Sequence, residues 1–124
     1  MFGDRDLEEL VELAGTWSMP NGWQVVIRAQ WDDVNAGRPH GLSYALILQD
    51  ENEERLLGFD NSHAPDRTAE GEPFDHEHRP NAVGRTFPYK FISAGQLISD
   101  FFDRCQAYCA RQGIKFEFDV EDVP

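Results

Sequence analysis

The clearest hydrophobic pattern lies between Trp23 and Trp31. There Trp23, Val25, Ile27, Ala29 and Trp31 alternate with Gln24, Val26, Arg28 and Gln30. A period of two is that of a β-strand. Apolar, strand-like runs recur at Leu42–Gln49 and Arg55–Asp60, and the charged stretch Asp50–Glu54 joins them as a hairpin. Thr16–Met19 leads into Pro20-Asn21-Gly22, a strong turn signal. Pro88–Ile92 reads as a short strand. Ile114, Phe116, Phe118 and Val120 alternate with Lys115, Glu117 and Asp119, which predicts a last one.

Two segments carry helical spacing instead. Leu7, Leu10, Val11 and Ala14 share one face of a helix over residues 4–14, with Asp4 as cap and Gly15 as stop. The stronger helix begins at Ser93, which has capping-box spacing to Gln96. Leu97, Ile98, Phe101, Phe102, Cys105, Tyr108 and Cys109 recur along it in steps of three and four, Asp100 and Arg104 are spaced to pair, and Gly113 ends it. The expected fold is therefore α+β and a single domain over residues 1–124. It is a mainly antiparallel sheet of about five or six strands, with a long C-terminal helix on one face and a short N-terminal helix. The pattern does not set the strand order.

Composition supports this reading. Hydrophobic residues make up 40% of the 124, enough for one core. The longest apolar runs are too short for a membrane span, and the acidic start Met1–Leu10 lacks the form of a signal peptide. A cytoplasmic location is the expectation, with no membrane partner. Cys105 and Cys109, on one helix face, read as two buried reduced thiols rather than half of a metal site. The tryptophans Trp17, Trp23 and Trp31 read as core more than as a base-stacking surface, and His40 as a turn residue.

Charge complicates any contact with nucleic acid. The net charge is −12, which opposes broad non-specific binding. Acids crowd residues 1–14, Asp50–Glu54 and the C-terminal tail, whereas Arg79–Lys90 holds Arg79, Arg85 and Lys90 and no acid. A local basic patch on an acidic body is the expectation.

Candidate chemistry collects in the long polar stretch Asn61–Phe87, which reads as a loop and contains His63, His76 and His78 near Asp60, Asn61, Asp66, Asp75 and Glu77. Histidine exchanges protons near neutral pH and in its neutral form binds metals. In an extended segment His76 and His78, two apart, face the same way. Two chemistries fit. The histidines can exchange protons while Arg79, Arg85 or Lys90 holds a phosphate, as cleavage of RNA through its 2′-hydroxyl requires. Alternatively, Asp60 with other carboxylates can hold a divalent cation that activates water.

Taken in order, these segments resemble the TumE-like family of toxin–antitoxin toxins over residues 42–112. The resemblance rests on Leu42-Ser43-Tyr44-Ala45-Leu46, then Arg55-Leu56-Leu57-Gly58-Phe59-Asp60-Asn61, His76-Glu77-His78, Phe87-Pro88-Tyr89-Lys90-Phe91, Ser93 and Asp100-Phe101. It implies a toxin with Mg²⁺-dependent ribonuclease activity, held inactive by a cognate antitoxin that carries a DNA-binding part. Asp60, Asn61, His76, His78 and Tyr89 stand at the motif positions. The chain departs from the pattern in its long segment between Asn61 and His76 and in its negative charge. The N-terminal helix and C-terminal strand are additions to the family-like core.

The expected site combines these readings. Asp60 holds the cation, and His76 and His78 act as base and acid or as further ligands. Tyr89 and Asn61 orient groups by hydrogen bonding, while Arg79, Arg85 and Lys90 contact phosphate. The rival expectation is a non-enzymatic module that docks a basic protein partner through its acidic surface.

Overall fold

The computed structural model describes residues 4–34, 38–61, 75–82 and 84–119. Among them, six strands form one antiparallel sheet in chain order: β1 (Gly15–Ser18), β2 (Gln24–Trp31), β3 (Leu42–Gln49), β4 (Arg55–Asp60), β5 (His76–His78) and β6 (Phe87–Pro88). Helix α1 (Asp4–Leu13) precedes the sheet and α2 (Ala94–Arg111) follows it. Each strand pairs with its sequence neighbour, so the topology is a meander. No described helix is long and apolar enough to cross a membrane.

Alternation divides the sheet into two faces. Val25 and Ile27 of β2, Leu42, Tyr44, Leu46 and Leu48 of β3, and Leu57 and Phe59 of β4 are buried in one core. Leu97, Phe101, Cys105 and Cys109 of α2 complete it, with Leu7 and Leu10 of α1. Both cysteines are free and buried, and burial pushes their thiols up from the usual range. They behave as small core residues. The opposite face carries no helix among the described residues. Arg28, Ala45, Asp60 and His76 lie along one rung of it, since the register pairs Arg28 with Ala45, Ala45 with Asp60, and Asp60 with His76.

The start of α2 is tied down twice. Ser93 caps it, accepting the Gln96 N–H at 3.0 Å. Asp6 of α1 accepts the next free donors, from Ala94 N–H at 2.6 Å and Gly95 N–H at 3.0 Å. A carboxylate at a helix N-terminus meets both unpaired N–H groups and the positive end of the dipole.

The structure corrects several expectations. Residues 76–78, expected within a loop, form β5, while residues 62–74, His63 and Asp66 among them, lie outside the described residues. The strand expected at Pro88–Ile92 is confined to Phe87–Pro88, with one further bond in the same register, from the Tyr89 N–H to the Asp75 carbonyl at 3.1 Å. Residues 114–119 are not a strand. Ile114, Phe116 and Phe118 pack on the core by alternation, but the backbone bonds there run from Ile114 N–H to the Cys109 carbonyl and from Asp119 N–H to the Ser18 carbonyl, not along a strand. Asp100 and Arg104 have other partners: Asp100 accepts from Tyr89 and Gln96, and Arg104 donates to Glu77 of β5. Trp31 is 51% exposed at the strand end, although it shares the parity of Val25 and Ile27. His40 does stand in a turn, as expected, and it is buried there as well.

Asp6→Ala leaves the first N–H groups of α2 without their carboxylate. The loss of unfolding free energy is expected to be about 1–2 kcal/mol, measured by urea denaturation with an unchanged m-value.

Candidate metal centre

Asp60 ends β4, and β5 lies beside it in a register that pairs Asp60 with His76 and Gly58 with His78. The two histidines, two positions apart, therefore reach the same face as Asp60. The Asp60 carboxylate meets both: Oδ1 lies 2.7 Å from His76 Nε2, and Oδ2 lies 2.8 Å from His78 Nε2. A carboxylate in its ionised form only accepts, so these distances assign the proton to Nε2 of each ring. The rings themselves touch edge to face, with centroids 4.9 Å apart. Asp60 and His76 are buried and His78 is half-buried.

Two features of sequence make this packing work. Gly58 has no side chain, and a Cβ there would stand 2.7 Å from the Leu46 carbonyl oxygen. The strand can therefore approach β3 closely only with glycine at this position. Asn61, fully buried, secures the end of β4. It accepts the Tyr44 N–H at 3.0 Å and donates Nδ2–H to the Leu42 carbonyl at 2.6 Å.

A second buried polar group sets where β5 begins. Asp75 Oδ2 accepts from the Tyr44 hydroxyl at 2.6 Å and lies 3.1 Å from His40 Nε2. His40 Nδ1 in turn accepts the Leu42 N–H at 3.2 Å, so Nε2 carries the proton. Burial, then the adjacent Asp75, pushes the Tyr44 hydroxyl well above its usual range and keeps it a donor. Asp75 is the residue before His76, so this anchor fixes the chain entering the cluster. Sequence reading missed it because His40 and Asp75 are 35 positions apart. No local spacing links them.

Tyr89, Arg79 and Arg85 have partners outside the cluster. Tyr89 packs on Phe59 and donates to Asp100 at 2.6 Å, and burial together with that carboxylate raises its hydroxyl above the usual range. Arg79 lies over the Phe87 ring and contacts Glu77 at 3.5 Å, on the side of β5 opposite the histidines. Arg85 also lies over Phe87. Lys90 is exposed. Arg79 and Arg85 thus gather around one aromatic ring, while Asp60, His76 and His78 gather around one point.

One donor atom from each of Asp60, His76 and His78 lies within 4.8 Å of the others. Two imidazoles and a carboxylate suit a divalent transition ion such as Co²⁺ or Zn²⁺, and also Mn²⁺, the harder of the three. Mg²⁺ takes oxygen donors in octahedral geometry, and here only Asp60 supplies oxygen. The two nitrogen donors therefore favour a transition ion over Mg²⁺, for which Asp60 would be the one oxygen ligand among the three.

A family model described as Toxin TumE matches residues 23–108, more than half of the chain. It takes in β2 to β6 and most of α2 and leaves α1 and β1 outside. The match begins well before Leu42, so β2 belongs to the shared part. No curated protein and no solved structure matches the chain.

Titration with Co²⁺ is expected to give one bound ion per chain, with visible absorption bands of nitrogen–oxygen coordination. Asp60→Ala should weaken it by about tenfold or more, while Lys115→Gln leaves it unchanged.

Proposed function

The chain belongs to the TumE toxin family, the toxins of toxin–antitoxin systems, and from that premise we propose that it is a metal-dependent ribonuclease whose site is the Asp60–His76–His78 cluster. The observation that carries this reading is the convergence of two imidazoles on one carboxylate at the edge of an open sheet face. A divalent cation bound there supplies a Lewis acid for the phosphate and a more acidic bound water.

The chain's own residues do the rest by holding that geometry. Asp60 holds both rings turned toward one point through Nε2, and each ring would lose its Nε2 proton to solvent on binding a cation through that nitrogen. Asn61 and the His40–Tyr44–Asp75 group hold the backbone on either side. Tyr89 reaches the site only indirectly, since it packs on Phe59, the neighbour of Asp60. The cation is a transition ion rather than the Mg²⁺ that the family resemblance implies, because the donors are mainly nitrogen. The cognate antitoxin is the expected protein partner, and RNA the expected substrate.

The test is cleavage of RNA by purified protein with Mn²⁺, with Mg²⁺, and with a chelator. Cleavage is expected with Mn²⁺ and its loss, by a factor of about 10² or more, in His76→Ala/His78→Ala. Undiminished cleavage by that double variant would remove these residues from the mechanism. Full activity in chelator would leave the histidines as acid and base without a metal. No cleavage under any condition would return the chain to the rival reading, a module that docks a basic protein.

A further inference from the structure

The Asp60–His76–His78 cluster borders two cavities, one on the open face of the sheet and one at the end of β4 and β5. One, of about 550 Å³, reaches Asp60 and is lined by Arg28, Arg38, Ser43 and Ala45. The other, of about 350 Å³, reaches His78 and is lined by Arg55 and Arg79, with Glu54 also present. The cluster therefore stands between two arginine-bearing hollows.

The register explains the first. Arg28, Ala45, Asp60 and His76 form one rung, so Arg28 and Asp60 are two strands apart, about 10 Å between backbones. Ala45 between them is small, and Ser43 is its small neighbour on the same face. Long side chains at both ends of a rung and a short one at its centre leave a hollow. Arg38 enters that hollow from the loop before β3, where it also lies 3.7 Å from Asp32. Gly58 explains part of the second. With no side chain at Gly58, the Arg55 stem lies over that backbone, its Cδ 3.6 Å from where a Cβ would stand. Gly58 is the pairing partner of His78.

We propose that a single strand of RNA crosses this face with the phosphate to be cleaved at the Asp60–His76–His78 cluster, Arg28 and Arg38 holding a neighbouring phosphate on one side and Arg55 on the other. This rests on the ribonuclease reading and names the residues that bind its substrate. It also answers the charge problem. The chain is −12 overall, yet cations stand on both sides of the cluster, and guanidinium groups pair well with phosphate. A duplex could not follow this path as readily, because its phosphates are fixed on a rigid cylinder, whereas a single strand can bend from one hollow to the other. Arg28, Arg38 and Arg55 are positioning residues here and touch no reacting atom.

The experiment measures binding apart from cleavage. A fluorescent 2′-O-methyl oligonucleotide, single-stranded or annealed to its complement, is titrated in chelator at several salt concentrations. Wild type is compared with Arg28→Gln/Arg38→Gln, Arg55→Gln and, as a control, Lys115→Gln. The single strand is expected to bind more tightly than the duplex. The double variant should weaken it about tenfold and Arg55→Gln about threefold, and each should flatten the salt dependence by about 0.7 per lost contact. A merely structural loss would lower affinity without that change of slope. Affinity and slope within twofold of wild type in both variants would overturn the proposal, as would no binding by wild type. Binding as expected without cleavage in the metal assay would sink the ribonuclease reading and keep the nucleic-acid path. Cleavage that needs His76 but ignores the arginines would do the reverse.

Discussion

The pairing of Asp60 with His76 across β4 and β5 is the constraint on which the rest of the site depends. Antiparallel pairing with period-two alternation leaves no freedom once that rung is set. His78 must fall on the same face, Glu77 on the other, and Arg28 on the same rung two strands away. A slip by one residue would turn both imidazoles into the core and bring Glu77 to the open face. The side-chain partners on the two faces resist that slip. Glu77 accepts from Arg104 of α2 at 2.9 Å on one side, and Asp60 engages both histidines on the other.

Buried polar groups make the constraint firm. Asn61 bridges to Tyr44 and Leu42, and Asp75 receives Tyr44 and lies against His40. In a low-dielectric interior each of these groups is costly to leave unpaired, so they specify one register rather than merely adding to stability. Beneath them lies an ordinary apolar layer of β2–β4 against α2 and α1. The helices cover one face, and among the described residues no helix covers the other. The same division places cationic side chains where an anion would lie, in a chain whose total charge argues against it.

Much of the fold was legible in the sequence because its signals are local. β2, β3, β4 and α2 follow from alternation or from three- and four-residue spacing, and Ser93 with Gln96 marks the start of α2. β5 was not legible as a strand because His76-Glu77-His78 has no apolar face of its own. Its partners come from β4 and from Arg104. The alternation of its histidines did point them to one side, and the motif Gly-Phe-Asp-Asn marked the strand end that they meet. The grouping of Arg28 and Arg55 with this cluster was illegible for a different reason: it depends on strand order and on small residues at Ala45 and Gly58, which no local pattern announces. The terminal segment 114–119 shows the converse, since strand-like alternation packed its apolar side chains without earning it a place in the sheet.

The most direct measurement of the central claim is nitrogen-15 spectroscopy of the histidine rings, before and after one equivalent of Zn²⁺. With Asp60 between the two rings, His76 and His78 should both carry their proton on Nε2 in the free protein. Both should shift together at one equivalent, while the buried His40 stays in place. If only one of the two responds, or if Asp60→Asn leaves both rings and their response unchanged, the cluster is not a single site and the account fails.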